Sequence, residues 1–425
     1  MSKLMQVLVV GGIIRFVLPT LIPQLPFKLA STIEVSTLIN SFKSLQEAFF
    51  YLQNNIDLYD GGVNHHAPFL VILLNMVDEH LPKTMSLIVF NLIYTVIDIG
   101  ITMKLIQLNR WYNEYNSKRL GVKVVGFNDD LIASFYLFNP LIILTNLSHS
   151  TLIFLLFLII ESLVQLLVEE NLARSIISLA VASYLSFSPI YLLIPLIALA
   201  QTQSSKNVFY RSIAIFILSI GVLLGSSILI TGNTKFISQC YLSVMSFNKI
   251  SPNLGLWWYL FTEMFEFFTP FYIGIFNIYS FIYIIPITLR LYQHPHEKPI
   301  GDSFLAFVLS WIWICFTKSY PTIGDLGFIL SLLPIFKSTV IPHCKFMLVT
   351  GLTLLVCLLL SPIFYYCWIV LGNGNSNFFY SINLIWGVVH VLLMMDLLWA
   401  RLSYDYIQVN QIPELESKKL RLTQI

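Results

Sequence analysis

The chain has 425 residues, of which 57% are hydrophobic and only 11% charged, with a mean hydropathy of +0.78. An ordinary soluble domain, with about a quarter of its residues charged, is excluded, and a net charge of +2 without a basic tract or zinc-finger spacing gives no reason to expect nucleic acid as a partner. At roughly 20 residues per transmembrane helix, the expectation is an all-α polytopic membrane protein of about twelve transmembrane helices, a single integral membrane domain over 1–400 with a polar tail at 401–425.

Apolar blocks fall near 4–22, 84–108, 129–147, 150–168, 174–187, 189–201, 208–230, 270–289, 302–317, 322–336, 346–371 and 379–400. The first follows Lys3 and has no small-residue cleavage pattern before Pro19, Pro23 and Pro26, so it is expected to stay as an anchor. Between 38 and 52, Leu38, Phe42, Leu45, Phe49 and Leu52 recur at three and four residues, which predicts an amphipathic helix on the membrane surface or against partner spans. The block 67–81 is too short to span and ends in Asp78, Glu79 and His80, so a dipping or surface helix is expected there.

With both termini cytosolic, Arg110, Lys118, Arg119, Lys123, Arg174, Lys206, Arg211, Arg290, Lys298, Lys337 and Lys345 collect on the cytosolic side. Few lysines remain opposite, which is the positive-inside asymmetry. The luminal loops are then about 23–66, 231–269 and 372–378.

Four polar segments interrupt this apolar text. In the first loop, Asp57, Asp60 and Gly61-Gly62 predict a tight turn before Asn64, His65, His66 and Pro68. Such a cluster suits a sugar or phosphate head group, or simply caps a helix. Adjacent histidines point apart and no third ligand is spaced to help, so no metal is expected. Ser251 to Phe268 sets Trp257, Trp258 and Tyr259 beside Glu263 and Glu266, which predicts an interfacial helix with both acids on one face, turned to water or a partner.

Lys318 and Asp325 flank the turn after the 302–317 block, where charges near hydrocarbon must face each other, a cavity or an anionic ligand. Asn375 and Asn377, in the turn before Phe378-Phe379-Tyr380, can hydrogen-bond sugar hydroxyls or phosphate, or cap the last helix. Asp98 stands alone in its block, and the five cysteines form no disulfide framework. Cys240 is expected to be a small buried residue rather than a nucleophile.

Taken in order, Tyr59-Asp-Gly-Gly-Val-Asn-His-His-Ala-Pro68, Asn139-Pro140 with Ser150-Thr151, Leu185-Ser-Phe-Ser-Pro189, Ser251 to Phe268, Lys318 to Asp325 and Asn375 to Tyr380 resemble the PIG-U subunit family of the glycosylphosphatidylinositol (GPI) transamidase. Members commonly carry glutamate after the histidine of the first motif, where this chain has His66 and Ala67. The resemblance implies a multi-pass, non-catalytic subunit in the endoplasmic reticulum membrane. It would bind or present the GPI lipid while a caspase-like partner subunit replaces a precursor's C-terminal signal.

On that reading the spans around 257–291 and 302–336 form an apolar groove, with Asn64, His65, Lys318, Asn375 and Asn377 at its mouth, and no cofactor is required. Trp257, Trp258, Glu263 and Glu266 face the interface or a partner. The family is similar in scaffold to GT-C type glycosyltransferases, with amphipathic helices in luminal loops, so the alternative is a mannosyltransferase using a dolichol-linked donor. The acidic pair such enzymes place after the first span is reduced here to Glu34, with Asp57 and Asp60 further on.

Overall fold

A computed structural model describes residues 2–203, 207–247, 249–293 and 300–412, and among them every regular element is helical. Lys206, Lys298 and the end of the expected tail, 413–425, lie outside the described residues.

The chain begins with α1 (Lys3–Leu21), capped by Ser2, whose hydroxyl accepts from the Met5 N–H at 3.3 Å. Short α2 (Leu25–Leu29) leads to α3 (Phe42–Gln53), the expected amphipathic helix, which buries Phe42, Leu45 and Phe49. Pro68 opens α4 (Pro68–His80), where its missing N–H is no loss. The 38-residue α5 (Lys83–Leu120) ends on Gly121 at φ +67°, the left-handed position that glycine tolerates best. It outruns its apolar block because Asn109, Tyr112 and Asn116 keep one face buried beyond the hydrophobic run.

Next come α6 (Asp129–Leu137) and α7 (Pro140–Leu147), bent 56° apart where Asn139 precedes a proline and caps the second helix. Then follow α8 (Leu152–Leu167), α9 (Leu172–Leu185), α10 (Leu193–Gln203) and α11 (Val208–Thr231). After a π-helical turn at Ile237–Leu242, α12 (Ser243–Met245) and α13 (Trp257–Glu263) precede α14 (Thr269–Ile282) and α15 (Ile284–Arg290). The chain continues through α16 (Ser303–Thr317), α17 (Ile323–Leu332), α18 (Met347–Tyr365) and α19 (Ser376–Val409).

Among the described residues, six helical segments are long and apolar enough to cross a membrane, or seven if the bent α6–α7 pair counts as one. Five further apolar helices have 10–17 residues, too short for a hydrocarbon layer of about 30 Å. The expectation of about twelve full spans is thus met by length in only half of the blocks. Prolines are part of the reason: Pro189 and Pro334 sit in 3₁₀ turns at the ends of short helices. These short helices lie among others, and α16 is buried almost throughout, so its polar backbone never meets lipid. By contrast α11 and α18 are mostly exposed apolar surface, as lipid-facing helices are.

The successive rods reverse direction at two ends. At one, Arg110 bonds Asp129, Lys337 reaches the Gly126 carbonyl at 3.2 Å, and Arg401 pairs with Asp302 at 3.3 Å and Asp405 at 2.8 Å. The other, the loop end, gathers 22–67, 148–151, 232–247, 249–256, 318–322 and 366–375; there the Thr151 N–H donates to the Asn40 carbonyl at 3.2 Å. The boundary expected at 400 falls inside α19, which runs on to Val409 with Arg401 and Asp405 buried.

Asp98 is not alone. Arg15, overlooked in the first apolar block, donates from Nε to its Oδ2 at 2.5 Å, and both side chains are fully buried. The Tyr136 hydroxyl (2.8 Å) and Asn146 Nδ2 (2.9 Å) complete the carboxylate's partners, while Arg15 Nη1 donates to the Leu137 carbonyl at 2.8 Å. Gly11 permits the close approach: a Cβ there would lie 2.9 Å from the Leu137 side chain. A charge pair inside a bilayer needs such partners; here Arg15 Nε and Nη1 are bonded, and Nη2 is buried without a partner among the described residues. Asn146, the asparagine of an Asn-Leu-Ser sequon, is consumed here and is buried.

Candidate functional site: polar segments gathered at the loop end

The 57–68 segment folds as a buried staple. Asn64 is fully buried; its Oδ1 accepts from the His66 N–H at 3.0 Å, closing the turn. His65 donates from Nδ1 to the Gln239 carbonyl at 2.6 Å, and His66 donates from Nε2 to the Ser41 carbonyl at 3.0 Å. The adjacent rings do point apart, one joining the 233–245 segment and the other the start of α3. Burial pushes both imidazoles down, His66 to about 4. Asn64 and His65 therefore lie beneath the loop surface rather than at an open mouth, tied to backbone through the Asn64 amide and His65 Nδ1, while His65 Nε2 is buried without a partner among the described residues.

Cys240 belongs to the same staple. Its thiol donates to the His66 carbonyl at 3.3 Å, the Tyr59 hydroxyl shares that carbonyl at 2.8 Å, and burial pushes the thiol pKa up. A nucleophilic cysteine needs the opposite shift and a nearby base. Asp57 and Asp60 both bond the Lys235 ammonium, with Asp57 at 2.9 Å. A hydrogen bond from the Tyr59 N–H and the lysine hold the Asp57 carboxyl below its usual range.

Lys318 and Asp325 face each other, Nζ to Oδ1 at 3.0 Å, both buried. Asp325 also accepts from the Thr322 N–H at 2.9 Å, completing a capping box at the start of α17. Of the alternatives left open by sequence, the internal pair is the one formed. Around it, Tyr320 donates to the Lys249 carbonyl at 2.6 Å and Asn253 Nδ2 to the Ser319 carbonyl at 3.3 Å. Asn383 on α19 donates to the Asn253 carbonyl at 2.6 Å. The Ser-Pro-Asn turn thus ties the α16–α17 linker to α19, while the Glu34 carbonyl receives the Ile323 N–H at 2.9 Å.

Beyond Asn253 the segment departs from a single interfacial helix. Helix α13 stops at Glu263, Met264 and Phe265 are extended, and Glu266 opens a separate 3₁₀ turn. Three residues apart then no longer means one face, although both acids are exposed as expected. Phe265 and Phe267 stand out at 80% and 87% exposure. Trp258 turns inward and stacks on Trp368 at 5.8 Å, beside Phe379. Tyr259 stacks on Tyr380 at 4.3 Å, and its hydroxyl bonds Asn377 Oδ1. Asn375 caps α19, accepting the Asn377 N–H at 2.9 Å. Both asparagines remain exposed on this aromatic base.

The groove expected between 257–291 and 302–336 is closed. Tyr283 packs on Trp313 at 4.6 Å, and Trp313 Nε1 donates to the Tyr279 carbonyl at 3.0 Å. Where α14 and α16 meet the 187–191 and 244–245 segments there is a cleft of about 30 Å³ whose lining includes Phe276, Asn277, Lys318 and Ser319, room for a water rather than an acyl chain. Trp257 packs edge-on against Phe276 at 4.5 Å, so this cleft and the aromatic platform share a wall.

Residues 9–386 match the family model described as GPI transamidase subunit PIG-U. The chain belongs to the PIG-U family. It is 38% identical over 412 residues, 97% of this chain and 96% of the other, to the GPI transamidase component GAB1 of Saccharomyces cerevisiae. It is also 30% identical to the GAB1 homolog of Schizosaccharomyces pombe, covering 88% of each, and 28% identical to the human GPI-anchor transamidase component PIGU, covering 89% of each. The family motifs at 59–68, 251–268, 318–325 and 375–380 are the segments that meet at the loop end. Lys235, Tyr259 and Asn383 also hold this end together through Asp57, Asn377 and the Asn253 carbonyl, pairings that escaped sequence reasoning, as did Arg15 deeper in the bundle. For Asn383 a signal existed, a lone amide in an apolar block; Arg15 offered the same signal.

Proposed function

We propose that this chain is a non-catalytic membrane subunit of a GPI transamidase that presents the GPI lipid to a caspase-like partner. The endoplasmic reticulum membrane is its place, with both termini cytosolic and the loop end luminal. The observation that carries this reading is the exposed amide pair Asn375 and Asn377, held rigid by the α19 cap and the Tyr259–Tyr380 stack. Amides on an aromatic base suit a glycan, which offers hydroxyls along its edge and apolar faces to rings.

The acyl chains then run along the exposed apolar face of α14, past Phe271, Ile275 and Ile278, because the cleft beside it is closed. Lys318 and the Asn64–His65 staple support the site from below, and Glu263 and Glu266 face a partner. With short helices carried between long ones, all twelve apolar blocks cross or line the membrane. The family relationship favours a subunit over a dolichol-dependent mannosyltransferase, and the Lys235 pairing leaves Asp57 and Asp60 unsuited to base chemistry.

The test is the double variant Asn375→Ala, Asn377→Ala in cells that rely on it. Surface GPI-anchored reporter is expected to fall several-fold while the variant still co-purifies with its partner subunits and GPI precursor accumulates. Normal reporter at normal abundance would remove these amides from the lipid site.

A further inference from the structure

A second and larger cleft, of about 510 Å³, opens at the loop end between α2, α3 and the start of α5, away from the platform described above. Its walls are aromatic: Phe42 and Phe90 are buried at the back, 5.5 Å apart edge-to-face, while Phe27 and Phe50 stand half-exposed at the entrance. Two opposite charges, Asp78 and Lys83, line the same space. They do not pair with each other. Asp78 accepts only from neutral donors, Ser86 Oγ at 3.0 Å and Gln53 Nε2 at 3.3 Å, and Lys83 forms no ion pair among the described residues.

We infer that this cleft binds a phospholipid with a zwitterionic head group, its ammonium against Asp78, its phosphate against Lys83 and one acyl chain between the phenylalanine rings. The volume lies within the range of small-ligand sites. The position is that of a membrane boundary: Thr20, near the end of α1, bonds Asn91 at 3.0 Å, two turns inside α5 from Lys83. A carboxylate and an ammonium that share one space without closing on each other are completed by a ligand carrying both charges. A purely anionic head would leave Asp78 opposed. The inference is independent of where the GPI lipid sits.

The probe is a phosphatidylethanolamine bearing a diazirine in one acyl chain, added to the complex purified in mild detergent. Labelled peptides are expected from 27–53 and 83–90, with about tenfold less labelling in Asp78→Lys or Lys83→Glu and recovery in the double swap. Phe50→Trp, which narrows the entrance, is expected to reduce labelling with no change in thermal unfolding. Labelling that ignores all these variants, that favours a phosphatidylglycerol probe, or that falls on a partner subunit covering the cleft overturns the proposal.

Discussion

The segment 57–68 and the turn 372–380 share a vocabulary of glycines, asparagines and aromatics, but the protein uses them in opposite ways. In the first, Asn64, His65 and His66 are buried and bonded to backbone carbonyls and amides of their own turn, α3 and the 233–245 segment. In the second, Asn375 and Asn377 are fixed by a cap and a tyrosine yet remain exposed. A polar group whose partners are all internal specifies the fold; one held rigid with capacity to spare is available to a ligand. In an apolar chain, polarity alone does not mark a site.

The comparison would break if a buried ion pair could be removed without loss. Arg15→Leu leaves Asp98 charged and unpaired inside the bundle, which costs about 3–5 kcal/mol. The expected outcome is little folded protein, read by detergent size-exclusion profiles and thermal unfolding. Arg15→Leu with Asp98→Leu removes both charges and is expected to recover part of that loss. Lys318→Ala belongs to the same class, since it strands Asp325, and is expected to lower abundance before it alters lipid handling. A stable Lys318→Ala chain with impaired GPI transfer would move Lys318 from the staple side of the comparison to the ligand side.

Acid sharpens the distinction. His66 is neutral in the folded chain, with its pKa pushed down to about 4 by burial, against an ordinary value of 6.5. Between those values the unfolded chain binds more protons, so this contribution is full above pH 7 and is lost as pH falls through 6.5 toward 4. The expected loss is about 2 kcal/mol between pH 7.5 and 5, measured by thermal unfolding in detergent. His66→Gln keeps a donor for the Ser41 carbonyl and is expected to flatten that slope. His65, also pushed down by burial, adds in the same direction. The exposed amide pair has no titrating group, so Asn375→Ala alone is expected to cost about 1 kcal/mol, the worth of a cap, at either pH.

The helices were legible because their apolar runs are long and their stops are local: Pro68, Gly121, Asn139-Pro140 and the Asn375 cap are readable from neighbouring residues. What joins them was not. Arg15 and Asp98 lie 83 residues apart, and Tyr259 and Asn377 lie 118 apart; no periodicity carries such pairings. The Ser251–Phe268 segment misled for a related reason. Its aromatics suggested one interfacial helix, but Trp258 packs inward on Trp368 and Phe379, and the backbone opens at Met264. Likewise the cleft beside α14 is closed by Trp313 and Tyr283, rings that a hydropathy profile counts only as apolar.

Cys240 gives the smallest expected effect and the cleanest separation of staple from chemistry. Its thiol is a weak donor to the His66 carbonyl inside an apolar wall. In Cys240→Ser a hydroxyl takes over that donation, and a side chain of nearly the same size keeps the packing, so the change in stability is expected to stay within about 1 kcal/mol. GPI transfer is expected to be unchanged. Loss of transfer with normal assembly would require a thiolate, whereas burial pushes the Cys240 thiol pKa up and its proton is held on the His66 carbonyl. The His65 and His66 rings are each tied to a backbone carbonyl, and the buried, protonated thiol beside them donates to another, which is why this cysteine reads as structure.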